Sequence, residues 1–311
     1  MEPPSGRQLE IRHGPLRAVV VEVGGGLREF TRDGEPVLDG YAVENMADGG
    51  RGQPLLPWPN RLADGQYEFR GQTHQLPIDE LSRRNASHGL TRWLSWSVVD
   101  QSTERVRVEY LLHPRPGYPF TLQLQLEYAL DDTGLTVRTF ARNLGQQELP
   151  LGAGFHPYFT VGTPLVDGAS LKIPALGRLD LDPERRLPTS RILAVAGTDF
   201  DFRSPRSIGE LVIDDCFCAL SRDDDGRARV TLTNVEAGMS MSVWMDEHFK
   251  YAQVFTGDTL AAPRRRQGLA IEPMTCPPNA FRSGMDLIVL QPGSDLQIEW
   301  GVEFDNSLTS A

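Results

Sequence analysis

A period of two is the feature that most constrains this chain. Leu122, Leu124, Leu126 and Tyr128 alternate with Gln123, Gln125 and Glu127, and Val106, Val108 and Tyr110 alternate with Arg105, Arg107 and Glu109. Near the end, Leu296, Ile298, Trp300, Val302 and Phe304 alternate with Gln297, Glu299 and Glu303, and Met239, Met241 and Val243 repeat the pattern. Successive side chains of a strand point to opposite faces, so such runs bury one face and wet the other, as antiparallel sheets do. Turn-forming clusters separate the runs, as at Asp131-Asp132-Thr133-Gly134 and Asp223-Asp224-Asp225-Gly226. With 30 glycines and 23 prolines, long helices are disfavoured, and only Pro77 to Arg84 reads as a short helical turn. The strand–helix alternation of a doubly wound or barrel enzyme is missing. The expectation is all-β: a large antiparallel β-sandwich with few short helices, its sites in connecting loops and on one concave sheet face. Residues 163–210, with several prolines, read as a long irregular excursion. No low-complexity linker divides the chain, which is read as one domain over residues 1–311.

Charge and cysteine content narrow the partners. At a formal net charge of -11 the chain lacks the clustered positive charge that holds nucleic acid or an anionic membrane. No apolar run approaches the roughly 20 residues that span a bilayer. Met1 to Pro15 lacks the apolar core of a signal peptide, so a cytoplasmic location is the expectation. Three cysteines are not a disulfide framework. Cys216 and Cys218, two apart on a strand, point the same way; with only Cys276 besides, they read as buried free thiols rather than a zinc site.

The chemistry sits in four short signatures: Pro59-Asn60-Arg61, Asn85-Ala86-Ser87-His88-Gly89, Gly154-Phe155-His156-Pro157-Tyr158-Phe159 and Ile271-Glu272-Pro273-Met274-Thr275. They offer two imidazoles, a carboxylate and a guanidinium. That set suits proton transfer on a neutral polyhydroxylated ligand. His156 follows the strand-like Leu149-Pro150-Leu151 in an aromatic cradle of the kind a sugar ring packs against, and histidine titrates near neutral pH with little perturbation. The plainer alternative is a hydrogen-bonded core histidine. Glu272, between apolar Ile271 and Pro273-Met274, is expected to be partly desolvated, which raises a carboxyl pKa and makes a better base. A strand-end glutamate in water is the alternative. Arg61, stiffened by Pro57 and Pro59, presents a planar fork that can clamp vicinal hydroxyls, or is simply a surface arginine. His88 is either a site group or a turn histidine bonded to backbone. Of Asp214 and Asp215 only one can face a site, because strand neighbours point opposite ways.

Other patterns weigh less. Arg264-Arg265-Arg266 is the obvious candidate for a phosphate contact, against the plainer reading of a solvated loop. Gly24-Gly25-Gly26 lacks the spacing and following helix of a dinucleotide loop. G-x-S-x-G, H-E-x-x-H and phosphate-loop signatures do not occur. His13, His74, His113 and His248 have no visible company in the sequence.

These residues together resemble the aldose 1-epimerase (galactose mutarotase) family. The likeness runs from Ala18–Val23 through Pro59-Asn60-Arg61-Leu62, Gly65 to Gly71, His88-Gly89, His156-Pro157-Tyr158-Phe159 and Glu272-Pro273-Met274-Thr275 to the last alternating strand. Each motif alone is weak; their order and spacing are specific. The stretch from Trp58 to Trp96 looks closest to bacterial members of uncertain sugar preference. The resemblance implies a galactose mutarotase-like supersandwich with an open sugar-binding face. It implies interconversion of the α and β anomers of a free aldose without cofactor or metal. Carried over by position, Glu272 matches the family's general base, His156 its general acid and His88 the second, substrate-orienting histidine. Arg61, with Asn60 beside it, matches the hydroxyl-binding arginine, and Asp214 the substrate-binding aspartate. The family often has histidine where Asp215 stands. The partner implied is a small-molecule aldose, and the protein is expected to be a monomer or weak homodimer. Three rival readings remain open on the residues. They are a hexose-6-phosphate epimerase, a non-catalytic sugar-binding module on the same fold, and a glycosidase using Glu272 and Asp214.

Overall fold

The structure, a computed structural model, describes residues 2–304. The alternating runs are its strands. Leu122–Asp131 pairs antiparallel with Arg105–Leu112 on one side and Gly134–Asn143 on the other, and Leu122, Leu124, Leu126 and Tyr128 are all buried. These are the second, third and fourth strands of a nine-stranded antiparallel sheet. Ser97–Gln101 closes one end; Asp295–Phe304, Met239–Met245, Ala228–Asn234, Ser170–Lys172 and Arg206–Ser207 follow Gly134–Asn143 towards the other. Glu127 breaks the simple wet-face pattern by being buried. Arg107 and Arg138, from the two neighbouring strands, hold its carboxylate at 2.6 and 2.8 Å.

A second, eight-stranded sheet runs Pro188–Ala194, Ala175–Leu181, Asp214–Leu220, Tyr251–Phe255, Leu269–Met274, Gly154–Phe155, Pro54–Leu55, with Tyr158–Phe159 also paired to Leu269–Met274. Apolar side chains from both sheets and from the N-terminal sheet (Gln8–His13, Leu16–Val21, Leu27–Arg32, Glu35–Pro36) join one buried cluster. The all-β expectation holds. Helical structure among the described residues is confined to short turns: Leu81–Arg83, Val166–Gly168, Ala262–Arg264 and Ala280–Ser283. The first lies inside the stretch expected to turn. Among the described residues no helix is long and apolar enough to cross a membrane.

The expected irregular excursion over residues 163–210 is more ordered than its prolines suggest. Ala175–Leu181 and Pro188–Ala194 form a hairpin that extends the eight-stranded sheet, while Ser170–Lys172 and Arg206–Ser207 finish the nine-stranded one. Pro188 stands at the first residue of an outermost strand, where a missing N–H costs no ladder bond.

Leu269–Met274 positions the site. It is buried along its whole length: Leu269 and Ile271 enter the shared core, so Ala270, Glu272 and Met274 face the other way. Its partner chain pairs in two stretches, Gly154 with Met274 and Tyr158 with Ala270. Both keep one register, so the gap between them sets His156 directly opposite Glu272. Pro273 explains the gap. Ile271 N–H donates to Pro157 O and Thr275 N–H to Ala153 O, whereas Pro273, on the same edge between them, has no N–H to give. On the other side Glu272 pairs with Gln253.

Candidate active site

The row Gln253–Glu272–His156 forms the floor of a hollow of about 340 Å³, whose walls come from loops around Gly49–Gly50, Asn60–Arg61 and Ser87–His88. Neighbouring strands carry the floor, so its side chains stand side by side at sheet spacing. His156 Nε2 lies 3.4 Å from Glu272 Oε1. Glu272 is only 2% exposed and His156 7%. Glu272 Oε2, His156 Nδ1, His88 Nδ1 and Gln253 Oε1 are buried without a hydrogen-bond partner. Buried polar atoms are almost always satisfied, and four orphans lining one hollow mark where a polar ligand would dock.

The backbone fixes His156 on both sides, its N–H donating to Gln53 O (3.0 Å) and its carbonyl accepting from Gly52 N–H (2.9 Å). Its ring stacks on Tyr158, centroids 5.1 Å apart and 18° from parallel. The guanidinium of Arg51, wholly buried and paired with Asp39 and Asp48, lies 4.3 Å over the Tyr158 ring. Gly50 makes room: a Cβ there would stand 2.8 Å from His156 Cδ2, and its φ of +77° suits glycine. His88 meets His156 edge-on at 5.5 Å. Its left-handed backbone (φ 60°) is held by a bond from its N–H to the carbonyl of Asn60, itself left-handed (φ 55°). Asparagine accepts that conformation readily and histidine less so, which marks His88 as a residue kept there by its surroundings.

Burial drives the acid–base groups towards their uncharged forms. It lowers His156 from 6.5 to about 3, helped by Arg92, Arg51 and Arg61 nearby. His88 is pushed well below its usual value, first by burial and then by Arg92, His156 and Arg61. Glu272 is pushed well above the carboxylate range, by burial and then by the Asp214 charge.

The remaining expected residues are placed as follows. Asp214 faces the hollow and accepts from Gln253 Nε2 at 2.7 Å, with Arg186 on its other oxygen at 3.1 Å. Asp215 points away to Arg178 (2.6 Å). Arg61 lines the hollow, but its fork is mostly spent: Nε and Nη2 donate to Glu80 at 2.9 and 3.1 Å, and Nη1 makes only a long bond to Asn60 Oδ1 at 3.5 Å. Asn60 is buried and caps Arg61 N–H with Oδ1 at 2.9 Å. Arg264 and Arg266 are bound to Asp39, Asp167 and Asp258, so two arginines of the run are spent on carboxylates, and none of the three lines the hollow. His13 has company after all: Glu104 and Asp132 hold it at 2.9 and 2.8 Å. His74 packs on Tyr67, and His248 approaches Asp246. None of these lines the hollow. Cys216 and Cys218 share one strand face, buried beside Tyr251 and Met274.

The aldose 1-epimerase family model matches residues 7–302. The chain belongs to the aldose 1-epimerase family. It is 37% identical over 290 residues to an uncharacterised Escherichia coli K12 protein, YihR, spanning 93% of this chain and 90% of that one. A maltose epimerase of Levilactobacillus brevis is 26% identical over 251 residues, 74% of this chain and 72% of that one. In fold the chain resembles a GalM/aldose epimerase homologue from C. elegans, with a TM-score of 0.86 at 18% identity over 96% of this chain and 98% of that chain.

For this aldose 1-epimerase family chain, sequence reasoning missed Gln253, Glu80, Arg51 and Arg186. Gln253 sits in Tyr251–Phe255, where every second residue enters the core; a polar side chain inside a fully apolar strand was the available signal. Glu80 and Arg186 are charged residues in polar segments, and nothing in their spacing distinguishes them from solvated neighbours.

Proposed function

We propose that this chain interconverts the α and β anomers of a free aldose. The observation that carries the proposal is the contact of His156 Nε2 with Glu272 Oε1 on the floor of a hollow, each with its second polar atom unpartnered. Glu272, as carboxylate, takes the O1 proton. The C1–O5 bond breaks with its electron pair going to O5, and the His156 imidazolium gives O5 a proton. The open aldehyde rotates about C1–C2, and the reverse transfers close the ring on the other face. The pair carries one proton throughout, so no net proton is exchanged with water. Each positioned acid or base contributes roughly 10²–10⁴-fold. His88, kept neutral by burial, acts as a hydrogen-bonding partner rather than a second acid. Asp214, Asn60 and Arg61, whose Nη1 is held only by a long bond to Asn60 Oδ1 (3.5 Å), bind hydroxyls, and Gln253 ties Asp214 to the catalytic row.

A second reading, an aldose bearing an anionic group such as a hexose 6-phosphate, has one specific support: Arg83 and Arg92 also line the hollow. Anomer exchange measured by NMR or polarimetry on glucose, galactose and glucose 6-phosphate separates the two. Faster exchange with a neutral sugar supports the first reading; strong preference for the phosphate transfers it to the second. No acceleration of any aldose would sink both and leave a sugar-binding module.

A further inference from the structure

Trp93 is the only aromatic among the well-exposed large apolar side chains of the described residues, with 56% of it open, whereas Trp58, Trp96, Trp244 and Trp300 are at most 3% exposed. An indole left in water forgoes a large burial gain, so its placement calls for a reason. Trp93 borders the same hollow as His88, His156 and Glu272, and being far more open than they are it stands at the mouth. Its loop is not loose. The Arg92 carbonyl accepts from Gln53 Nε2 (3.0 Å) and the Leu94 carbonyl from Gly24 N–H (2.8 Å), so the backbone is pinned on both sides of the tryptophan. The Arg92 guanidinium, bonded to Ser87 O and Asp79, lies 5.6 Å from the indole centroid.

We propose that Trp93 is a stacking platform for a second sugar ring, so that the aldose taken by the floor can be the reducing end of an oligosaccharide. An open aromatic face beside a polar hollow matches a sugar's two surfaces: axial C–H groups pack on the ring while hydroxyls turn to water and to polar neighbours. This rests on the anomerase reading for its turnover consequence, though not for binding.

Glucose is the reducing unit of maltose, cellobiose and lactose, which makes it the natural reference. Anomer exchange of all four is measured by NMR with the wild type, Trp93→Ala and Trp93→Phe. At least one disaccharide should be accepted with kcat/KM no lower than that of glucose. Trp93→Ala should lower that value roughly fivefold to tenfold, with glucose changed by less than about twofold and Trp93→Phe keeping most of the activity. Equal loss on glucose, no loss on any disaccharide, or exclusion of disaccharides while glucose turns over would each overturn the platform and leave the anomerase reading standing. If no sugar turns over, the anomerase reading fails by itself. Calorimetry of the same sugars on the same three proteins then decides: tighter disaccharide binding lost in Trp93→Ala supports the platform, and its absence overturns it.

Discussion

Replacing Glu272 by glutamine tests the proposed chemistry and the burial argument together. The side chain is 2% exposed, touches His156 at 3.4 Å and leaves Oε2 unpartnered. Glutamine has the same shape and retains a carbonyl oxygen for His156, so the hollow should persist. Turnover should fall by roughly 10²–10⁴-fold, the usual worth of a positioned base, while sugar affinity stays within a few-fold. Stability should move the other way. The folded pKa of Glu272 is raised above 4.5, chiefly by burial, so below pH 4.5 folded and unfolded chains both hold the proton. As pH rises from there, the unfolded chain releases it while the folded chain retains it, and the wild type loses stability until the folded pKa is passed. Each unit of elevation is worth about 1.4 kcal/mol. For a chain of this size that is at least about 2 °C in Tm. Glu272→Gln removes this penalty. Its Tm should match the wild type near pH 4 and exceed it increasingly towards pH 8. Exchange NMR reads the first effect and thermal melts across pH the second. An activity loss below tenfold, or a Tm difference flat across pH, would refute the reasoning.

Turnover should follow a bell-shaped pH profile belonging to the His156–Glu272 pair. Its acid limb should lie well below 6.5 and its alkaline limb well above 4.5, and the acid limb, where a second proton blocks the carboxylate, should vanish from the residual activity of Glu272→Gln. Gly50→Ala would put a Cβ 2.8 Å from His156 Cδ2 at a φ of +77°, and should cut kcat by about 10²-fold with the far-UV circular dichroism spectrum unchanged. Glu80→Gln weakens the clamp on Arg61, so KM should rise by roughly fivefold with kcat moved less, as read from progress curves over a range of sugar concentrations.

The architecture was legible because one face of each long strand must be apolar, and Leu122 to Tyr128 writes that requirement directly into the sequence. The hairpin within residues 163–210 was not, because it lies at an outermost position where Pro188 and exposed polar residues are tolerated and alternation is weak. The candidate site was legible where chemistry needs a rare residue type in a rigid context: His156 before Pro157, Glu272 before Pro273. Their register was not visible. It depends on Pro273 withholding an N–H opposite a chain segment more than a hundred residues away, and no local pattern encodes that pairing. Arg61 was read as a hydroxyl clamp, yet most of its fork goes to Glu80, since a half-buried guanidinium needs an anion and the sequence does not say which one.

The electrostatics of the hollow bear on how one pair can serve both directions of a reversible reaction. Asp214 opposes a charge on Glu272, while Arg92, Arg51 and Arg61 oppose one on His156, and burial opposes both. Arg61 favours the Glu272 carboxylate and a backbone hydrogen bond favours the His156 imidazolium, but burial, the largest influence on each, favours the neutral pair, with the proton on the carboxyl. On the proposed mechanism this is the arrangement reached at the open aldehyde, after Glu272 has taken the O1 proton and His156 has given its own to O5. The ring-closed complexes require the opposite arrangement, carboxylate beside imidazolium. Two charges 3.4 Å apart attract strongly once water is excluded, and sugar hydroxyls can satisfy Glu272 Oε2 and His156 Nδ1, which have no partner within the protein. On this mechanism bound substrate stabilises the charged pair that burial disfavours, and the two proton arrangements are brought closer in energy. A pair held far to either side would be a good catalyst for opening or for closing, but an anomer exchange has to pass through both.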